Sequence, residues 1–297
     1  MDGLLVIDKP AGPTSFEVTA RVRALASTRK AGHTGTLDPM ATGVLPVALG
    51  EGTKLAGLLT EGDKAYDAVV RLGLETDTLD ITGAVRRTAE VPPLTEPALS
   101  AVLGRFHGTF LQVPPMVSAV KVGGRRLYER ARAGEEVERA ARPVTVHSLL
   151  LRDFSATEVT LSVRCSKGFF VRVLAAELGR ALGSCGCLKA LRRTASGPFT
   201  LEQATPLERL EALAKGPLGE AAVRSRLIPP AAMLPHLPAF GVEAADVPRV
   251  LHGVPLSVYL EPPPPRVRVL GPDGSLLAVA DVRAGRLAYL RVLAQPT

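Results

Sequence analysis

The chain has 297 residues, 46% of them hydrophobic, with 36 Lys and Arg against 29 Asp and Glu for a net charge of +7. That length fits about two domains and leaves material for a full core. No apolar run approaches the roughly 18 to 20 residues of a membrane span. The opening Met-Asp-Gly-Leu-Leu-Val-Ile-Asp-Lys-Pro lacks the basic start and long apolar stretch of a secretory leader, so a globular, cytoplasmic protein without a membrane partner is expected.

In chain order, Leu4 to Ile7 and Val44 to Leu49 are short apolar runs bounded by Pro and Gly, which predicts buried strands. Between them Ser15 reads as the N-cap of a helix whose apolar stripe is Phe16, Val18, Val22 and Leu25. A strand is predicted from Tyr66 to Leu74, helices over 97–106, Leu127 to Ala133 and Val171 to Leu182, and an alternating, half-buried strand from Val159 to Cys165. Five prolines between 214 and 240 predict a linker or domain seam. Beyond it Val254 to Leu260, Val267 to Leu270, Leu276 to Val282 and Leu287 to Val292 read as short strands of a small β-rich module. A module of that size is near the lower limit for independent stability, so it is expected to lean on the body. The mixture predicts an α+β fold.

Charge is uneven. From Lys121 to Arg193 there are 15 Lys and Arg against 7 Asp and Glu, and the remainder is near neutral. A concentrated basic surplus is the footprint of a polyanion partner, because phosphate neutralisation releases counterions. Charge by itself leaves RNA, DNA and membrane open. Cys165, Cys185 and Cys187 cannot all pair, and Cys-Gly-Cys is neither a zinc knuckle nor a redox Cys-x-x-Cys, so no metal is expected.

The densest chemistry lies at 32–46, Gly-His-Thr-Gly-Thr-Leu-Asp-Pro-Met-Ala-Thr-Gly-Val-Leu-Pro. Asp38 is its only carboxylate, in a segment stiffened by Pro39. Read alone, the glycines mark turns around a structural Asp; equally, the setting suits one reactive carboxylate. Four further blocks stand out: Asp8-Lys-Pro-Ala-Gly-Pro-Thr-Ser15, Lys64-Ala-Tyr66, Thr76-Asp-Thr-Leu-Asp80 closed by Gly83, and Cys165-Ser-Lys-Gly-Phe-Phe-Val-Arg172 leading into Leu191-Arg-Arg193. Arg172 by itself reads as a helix-surface arginine and Tyr66 as a core or strand residue.

These five blocks, in this order, closely resemble the bacterial tRNA pseudouridine synthase B family, whose members isomerise the T-loop uridine at position 55 of tRNA. The resemblance covers most of residues 1–200. It implies a pseudouridine synthase fold, with a mixed, largely antiparallel sheet flanked by helices over 1–235 and a PUA-like RNA-binding domain over 236–297. Asp38 is implied to be the catalytic carboxylate, Arg172 its guanidinium partner, and Tyr66 the aromatic that stacks on the target uracil. Leu191 is implied to line the same pocket, and His33 to enter the gap left by the extruded nucleotide or stack in the T loop. Asp80 is expected to orient Arg or backbone groups, or to serve the turn. Phe170 stands where many relatives carry tyrosine, so a phenolic hydrogen bond is lost there. Residues 115–142 resemble a thumb insertion that grips an RNA hairpin, with Lys121, Arg125, Arg126, Arg130 and Arg132 as phosphate contacts, ordered on binding.

The implied reaction breaks the C1′–N1 bond, turns the uracil and rejoins it through C5. Nothing leaves and no redox change occurs, so no cofactor is expected, and the partner is the tRNA T-arm, bound by a monomer. Positive charge develops at C1′, where an ionised carboxylate stabilises it or bonds to it; the alternative is proton removal at C2′ to a glycal. Either route needs Asp38 ionised in a pocket that excludes water, where desolvation opposes ionisation and a cation must compensate. A non-catalytic RNA binder and a nucleoside or glycoside hydrolase are the readings from other classes. The first needs none of the five blocks, and the second needs a water-activating partner.

Overall fold

Strands that are apolar at every position need cover on both faces, and both runs near the start of the chain receive it. The computed structural model describes residues 1–118, 120–258 and 261–293, with backbone alone for Lys121, Val122, Arg126 and Arg132. The two runs form β1 (Gly3–Lys9) and β3 (Thr42–Leu49), antiparallel neighbours. Leu5, Ile7, Leu45 and Val47 face a core shared with Val18, Val22, Leu174 and Leu178. Leu4, Val6, Val44 and Ala48 face a second core with Met233, Leu234, Leu276, Val279 and Leu293.

Between β1 and β3 lie α1 (Ser15–Leu25) and β2 (Ala31–His33). Thr14 rather than Ser15 caps α1: its hydroxyl accepts from the Glu17 amide at 3.1 Å, and the Glu17 carboxylate accepts from the Thr14 amide at 2.7 Å. That reciprocal pair satisfies two helix-end donors. Phe16 also departs from the predicted stripe and is 77% exposed, since it stands about 200° round the helix from buried Val18.

After α2 (Ala56–Thr60) the chain runs through β4 (Lys64–Leu72), which Gly73 ends at φ +80°, and then the hairpin β5 (Leu74–Thr76) and β6 (Val85–Thr88). There follow α3 (Glu96–Leu103), β7 (Gly108–Gln112), the hairpin β8 (Lys121–Val122) and β9 (Arg125–Arg126), α4 (Leu127–Arg132), β10 (Arg142–Phe154), β11 (Glu158–Cys165) and α5 (Val171–Ala181). β12 (Gly186–Ser196), β13 (Phe199–Thr200) and β14 (Thr205–Pro206) complete the large sheet, ordered β14-β1-β3-β12-β4-β11-β10-β7 with β2 on β3 and β13 on β12. Pairs β1–β14 and β3–β12 are parallel and the others antiparallel, giving the mixed sheet expected. Gly43 permits the parallel crossing: its φ is +102°, and a Cβ there would sit 2.2 Å from the Arg193 carbonyl oxygen.

The proline-rich stretch after 214 is more than a linker. It carries the end of α6 (Leu207–Lys215), then α7 (Gly219–Arg224), and buries Met233 and Leu234 completely. The tail forms a four-stranded sheet, β15 (Ala239–Gly241), β16 (Arg266–Leu270), β17 (Leu276–Arg283) and β18 (Arg286–Val292), with α8 (Val247–Leu251) beside it. Three of its four predicted strands are present. At 254–260 the described residues hold only the Ser257–Arg286 bridge, while Tyr259 and Leu260 lie outside them. The tail does lean on the body, through Leu276, Val279 and Leu293 in the second core and through Lys54, which donates to the Val292 carbonyl at 3.0 Å.

Candidate active site

Asp38 sits in the loop between β2 and β3, a segment without strand or helix bonds of its own. Its carbonyls and amides must find partners elsewhere, and three side chains supply them. Ser15 donates to the Leu37 carbonyl at 2.9 Å and accepts from the Leu37 amide at 2.8 Å. Lys9, fully buried at the end of β1, donates to the carbonyls of Pro10, Pro39 and Ala41 at 2.9, 3.1 and 2.7 Å. Arg193, 1% exposed on β12, donates from Nε to Val44 O at 2.7 Å and from its two terminal nitrogens to Thr36 O at 3.3 Å and Gly35 O at 3.0 Å. The loop is thus clamped by two buried cations acting on neutral oxygens.

Desolvation penalises those cations. Burial pulls Lys9 down to about 8, an effect that Asp38 opposes and Arg193 reinforces. Lys64, donating to Thr60 O at 2.6 Å and to Gly62 O, is lowered to about 8 by burial, with Arg193 adding to the fall. Burial lowers Arg193 as well, opposed by Tyr66.

Onto this fixed loop Arg172 delivers a planar fork. It stands in the first turn of α5, where Gln112, 2% exposed, holds the preceding Phe170 backbone by accepting from its amide at 2.8 Å and donating to its carbonyl at 3.3 Å. Arg172 Nε lies 2.8 Å from Asp38 Oδ2 and Nη2 lies 3.2 Å from Oδ1, a bidentate, charge-assisted pair. Two further guanidinium protons go to Thr78 O at 2.8 Å and Val117 O at 2.7 Å. Arg172 is 4% exposed and Asp38 32% exposed by side chain, so the carboxylate reaches the opening while its partner stays beneath.

Asp80, 5% exposed, lies between the hairpin turn and Arg172. Its Oδ1 accepts from the hydroxyls of Thr78 and Thr82 at 2.9 and 2.6 Å and from the Thr82 amide at 3.0 Å, fixing the β5–β6 turn, while Oδ2 lies 4.0 Å from Arg172 Nε.

Above Asp38 opens a cleft of about 1220 Å³ walled by the start of α1, the 33–39 loop, the β5–β6 hairpin and residues 116–136. Asp38 and His33 line it. Tyr66, Phe170 and Leu191 are not among its lining residues. Tyr66 on β4 pairs with Arg193 on β12, and Leu191, 8% exposed, belongs to the main core against which Tyr66 packs. Burial raises the Tyr66 phenol above its ordinary range, with Arg193 opposing and Asp38 adding, so it keeps its proton at neutral pH. Arg125 and Arg130 reach Glu135 at 3.3 and 3.8 Å within the insertion. The side chains of Lys121, Arg126 and Arg132 lie outside the described residues.

Lys9, Arg193, Ser15 and Thr78 carry the site's geometry yet were not read as site residues in the sequence. Each lies in one of the five sequence blocks, and a lysine beside Pro10 at the end of a buried strand is the signal that marks the first. Among the described residues no group of three or more His, Cys, Asp or Glu could hold a metal ion, and no helix is long and apolar enough to cross a membrane.

Two family models cover most of the chain: the N-terminal domain of the TruB family pseudouridylate synthases matches residues 23–171, and the C-terminal domain of tRNA pseudouridylate synthase B matches 172–234. A tRNA pseudouridine synthase B of Aromatoleum aromaticum is 49% identical over 254 residues, covering 85% of this chain and 80% of the relative. The protein of that description from Burkholderia pseudomallei is 44% identical over 299 residues, covering 99% and 97%. Among solved structures, a Cbf5-Nop10-Gar1 complex superposes with a TM-score of 0.74 at 26% identity, over 98% of this chain and 84% of that one. An archaeal box H/ACA sRNP Nop10-Cbf5 complex superposes at 0.72 and 25% identity, over 98% and 85%.

Proposed function

The chain belongs to the TruB family and is a tRNA pseudouridine synthase, an isomerase acting on uridine 55 of tRNA, and on that footing we propose that it recognises the isolated T-arm and performs the isomerisation with Asp38. The observation that carries the residue assignment is the fork of Arg172 on Asp38, at 2.8 and 3.2 Å, at the floor of an open cleft.

A uridine inside a folded T loop must be everted before its sugar meets a carboxylate, with unstacking offset by contacts in the pocket. Asp38, held by the guanidinium and by a loop that cannot recoil, faces C1′ as the glycosidic bond lengthens. It stabilises the growing positive charge by bonding to C1′, or it takes the C2′ proton to give a glycal. Tyr66 is the aromatic assigned to the uracil and to proton transfer near C5; it packs against the main core and does not line the cleft, so this role requires the pocket to open toward β4 when RNA enters. Phe170 and Leu191 supply apolar surface, Asp80 orients Arg172 through the hairpin, and His33 fills the space left by the base. Residues 115–142 grip phosphate through Lys121, Arg125, Arg126 and Arg130. Residues 1–235 are the catalytic domain and 236–297 a PUA-like RNA-binding module of a cytoplasmic monomer. The rearrangement breaks the C1′–N1 and C5–H bonds and forms C1′–C5 and N1–H, so one proton passes to solvent from C5 as another is taken up at N1; no electrons move to an acceptor, and side chains suffice.

The test is tritium release from a T-arm hairpin carrying 5-³H-uridine. Wild-type protein releases tritium, and Asp38→Asn abolishes release while still shifting the hairpin in a gel. Sustained release by the variant refutes the assignment of Asp38, and free uracil among the products refutes isomerisation.

A further inference from the structure

The β5–β6 hairpin contains one residue too many. Thr76 pairs with Val85 and Glu75 with Arg87, so Arg86 is left as a bulge. Bulges re-aim side chains and gather beside active sites. Here the two neighbouring arginines part company: Arg87 donates to the Ser184 carbonyl at 3.2 Å and is tied to the body, whereas Arg86 lines the Asp38 cleft. Arg86 is exposed and makes no ion pair or side-chain hydrogen bond among the described residues.

The rest of the lining gives that position weight. Asp38, Asp77, Glu135 and Glu136 face the cleft, and among the described residues Arg86 is the single Lys or Arg lining it. Carboxylates on the wall repel an entering phosphate, and a cation there offsets that repulsion. A second feature points the same way. Ser118, 6% exposed, also lines the cleft, and its buried hydroxyl has no hydrogen-bond partner. An orphaned buried hydroxyl at a cleft wall is a place for a ligand acceptor. Both residues are tied to the same hub: Arg172 binds the Thr78 carbonyl of the hairpin that carries Arg86 and the Val117 carbonyl adjoining Ser118.

We propose that Arg86 and Ser118 form a subsite for the sugar-phosphate backbone of the RNA beside the target nucleotide, Arg86 neutralising one phosphate and Ser118 donating to an oxygen of the same segment. The proposal rests on the isomerase reading above. Arg86 is a positioning residue, since it holds substrate without meeting the reacting carbon.

The experiment measures steady-state tritium release and equilibrium hairpin binding over a range of salt for wild type, Arg86→Gln, Arg86→Lys and Ser118→Ala. Arg86→Gln raises KM about tenfold with kcat within twofold, and flattens the slope of log affinity against log salt by about 0.7 to 0.9, the value of one phosphate contact. Arg86→Lys restores the slope. Ser118→Ala raises KM about threefold with the slope unchanged, because a hydroxyl carries no charge. A hairpin series with single methylphosphonates identifies one position where neutralising the phosphate weakens wild type but not Arg86→Gln. An Arg86→Gln protein with wild-type KM and slope, or one that loses kcat alone, overturns the subsite while wild-type conversion upholds the isomerase reading. Failure of wild type to convert the hairpin overturns both.

Discussion

On the floor of the cleft, Arg172 and Arg193 are 3% and 1% exposed and donate to Asp38 and to the carbonyls of a loop that has no ladder of its own. On the roof, Arg125 and Arg130 reach Glu135 at 3.3 and 3.8 Å with side chains 54%, 22% and 41% exposed. The residue type is the same and the physics differs. Buried donors have no water to replace a lost partner, so each bond holds geometry firmly. Partly exposed ion pairs are screened and weak, so they yield to a competing phosphate. The first arrangement suits the carboxylate proposed for catalysis, and the second suits the segment proposed to grip RNA.

The sharpest break of this contrast is Arg193→Leu. Three carbonyls lose their donor at once, which costs about 4 kcal/mol and lowers Tm by about 10 °C, read by thermal denaturation with circular dichroism. A fall of 1 °C or less shows that the clamp is dispensable. Arg172→Lys is next: it keeps a charge and loses the fork, so kcat drops about a hundredfold in single-turnover tritium release, with hairpin affinity within about threefold. An unchanged kcat separates Asp38 function from bidentate geometry.

Lys9 gives a smaller, pH-dependent signal. With its ammonium near 8 in the folded chain, the donors to Pro39 and Ala41 weaken above that pH, and the rate declines by up to about tenfold per pH unit beyond it. A Lys9→Met variant is slower and lacks this limb, whereas a matching limb in the variant assigns the titration to another group. The linkage has the opposite sign for stability. A lysine whose folded value lies below its unfolded one destabilises the fold while protonated, and this cost fades between about 8 and 10.5. The Lys9 contribution therefore becomes more favourable to folding over the window in which activity falls. The least effect belongs to the roof. Arg125→Gln changes stability by under about 0.5 kcal/mol and raises KM several-fold, read by urea denaturation beside the kinetic assay. A stability loss comparable to that of Arg193→Leu would erase the distinction between floor and roof.

Strands with strong apolar runs were legible, as were α1, α3 and α5, because their periodicity survives any context. β12, central to the sheet, was not: Gly-Cys-Leu-Lys-Ala-Leu-Arg-Arg-Thr-Ala-Ser has little strand propensity, and only its neighbours β3 and β4 make it a strand. Burial of Met233 and Leu234 within a proline-rich stretch was hidden for the same reason, since their cover comes from Leu276 and Val279 more than forty residues on.

The amino-acid order alone singled out Asp38, Arg172 and the basic segment as candidates for the chemistry, through the family resemblance that their blocks carry. The tertiary fold decided how they act. Lys9 and Arg193 became clamps only when strands far apart in the chain paired and took water from their side chains, whereas a bulge in a local hairpin set Arg86 against the cleft.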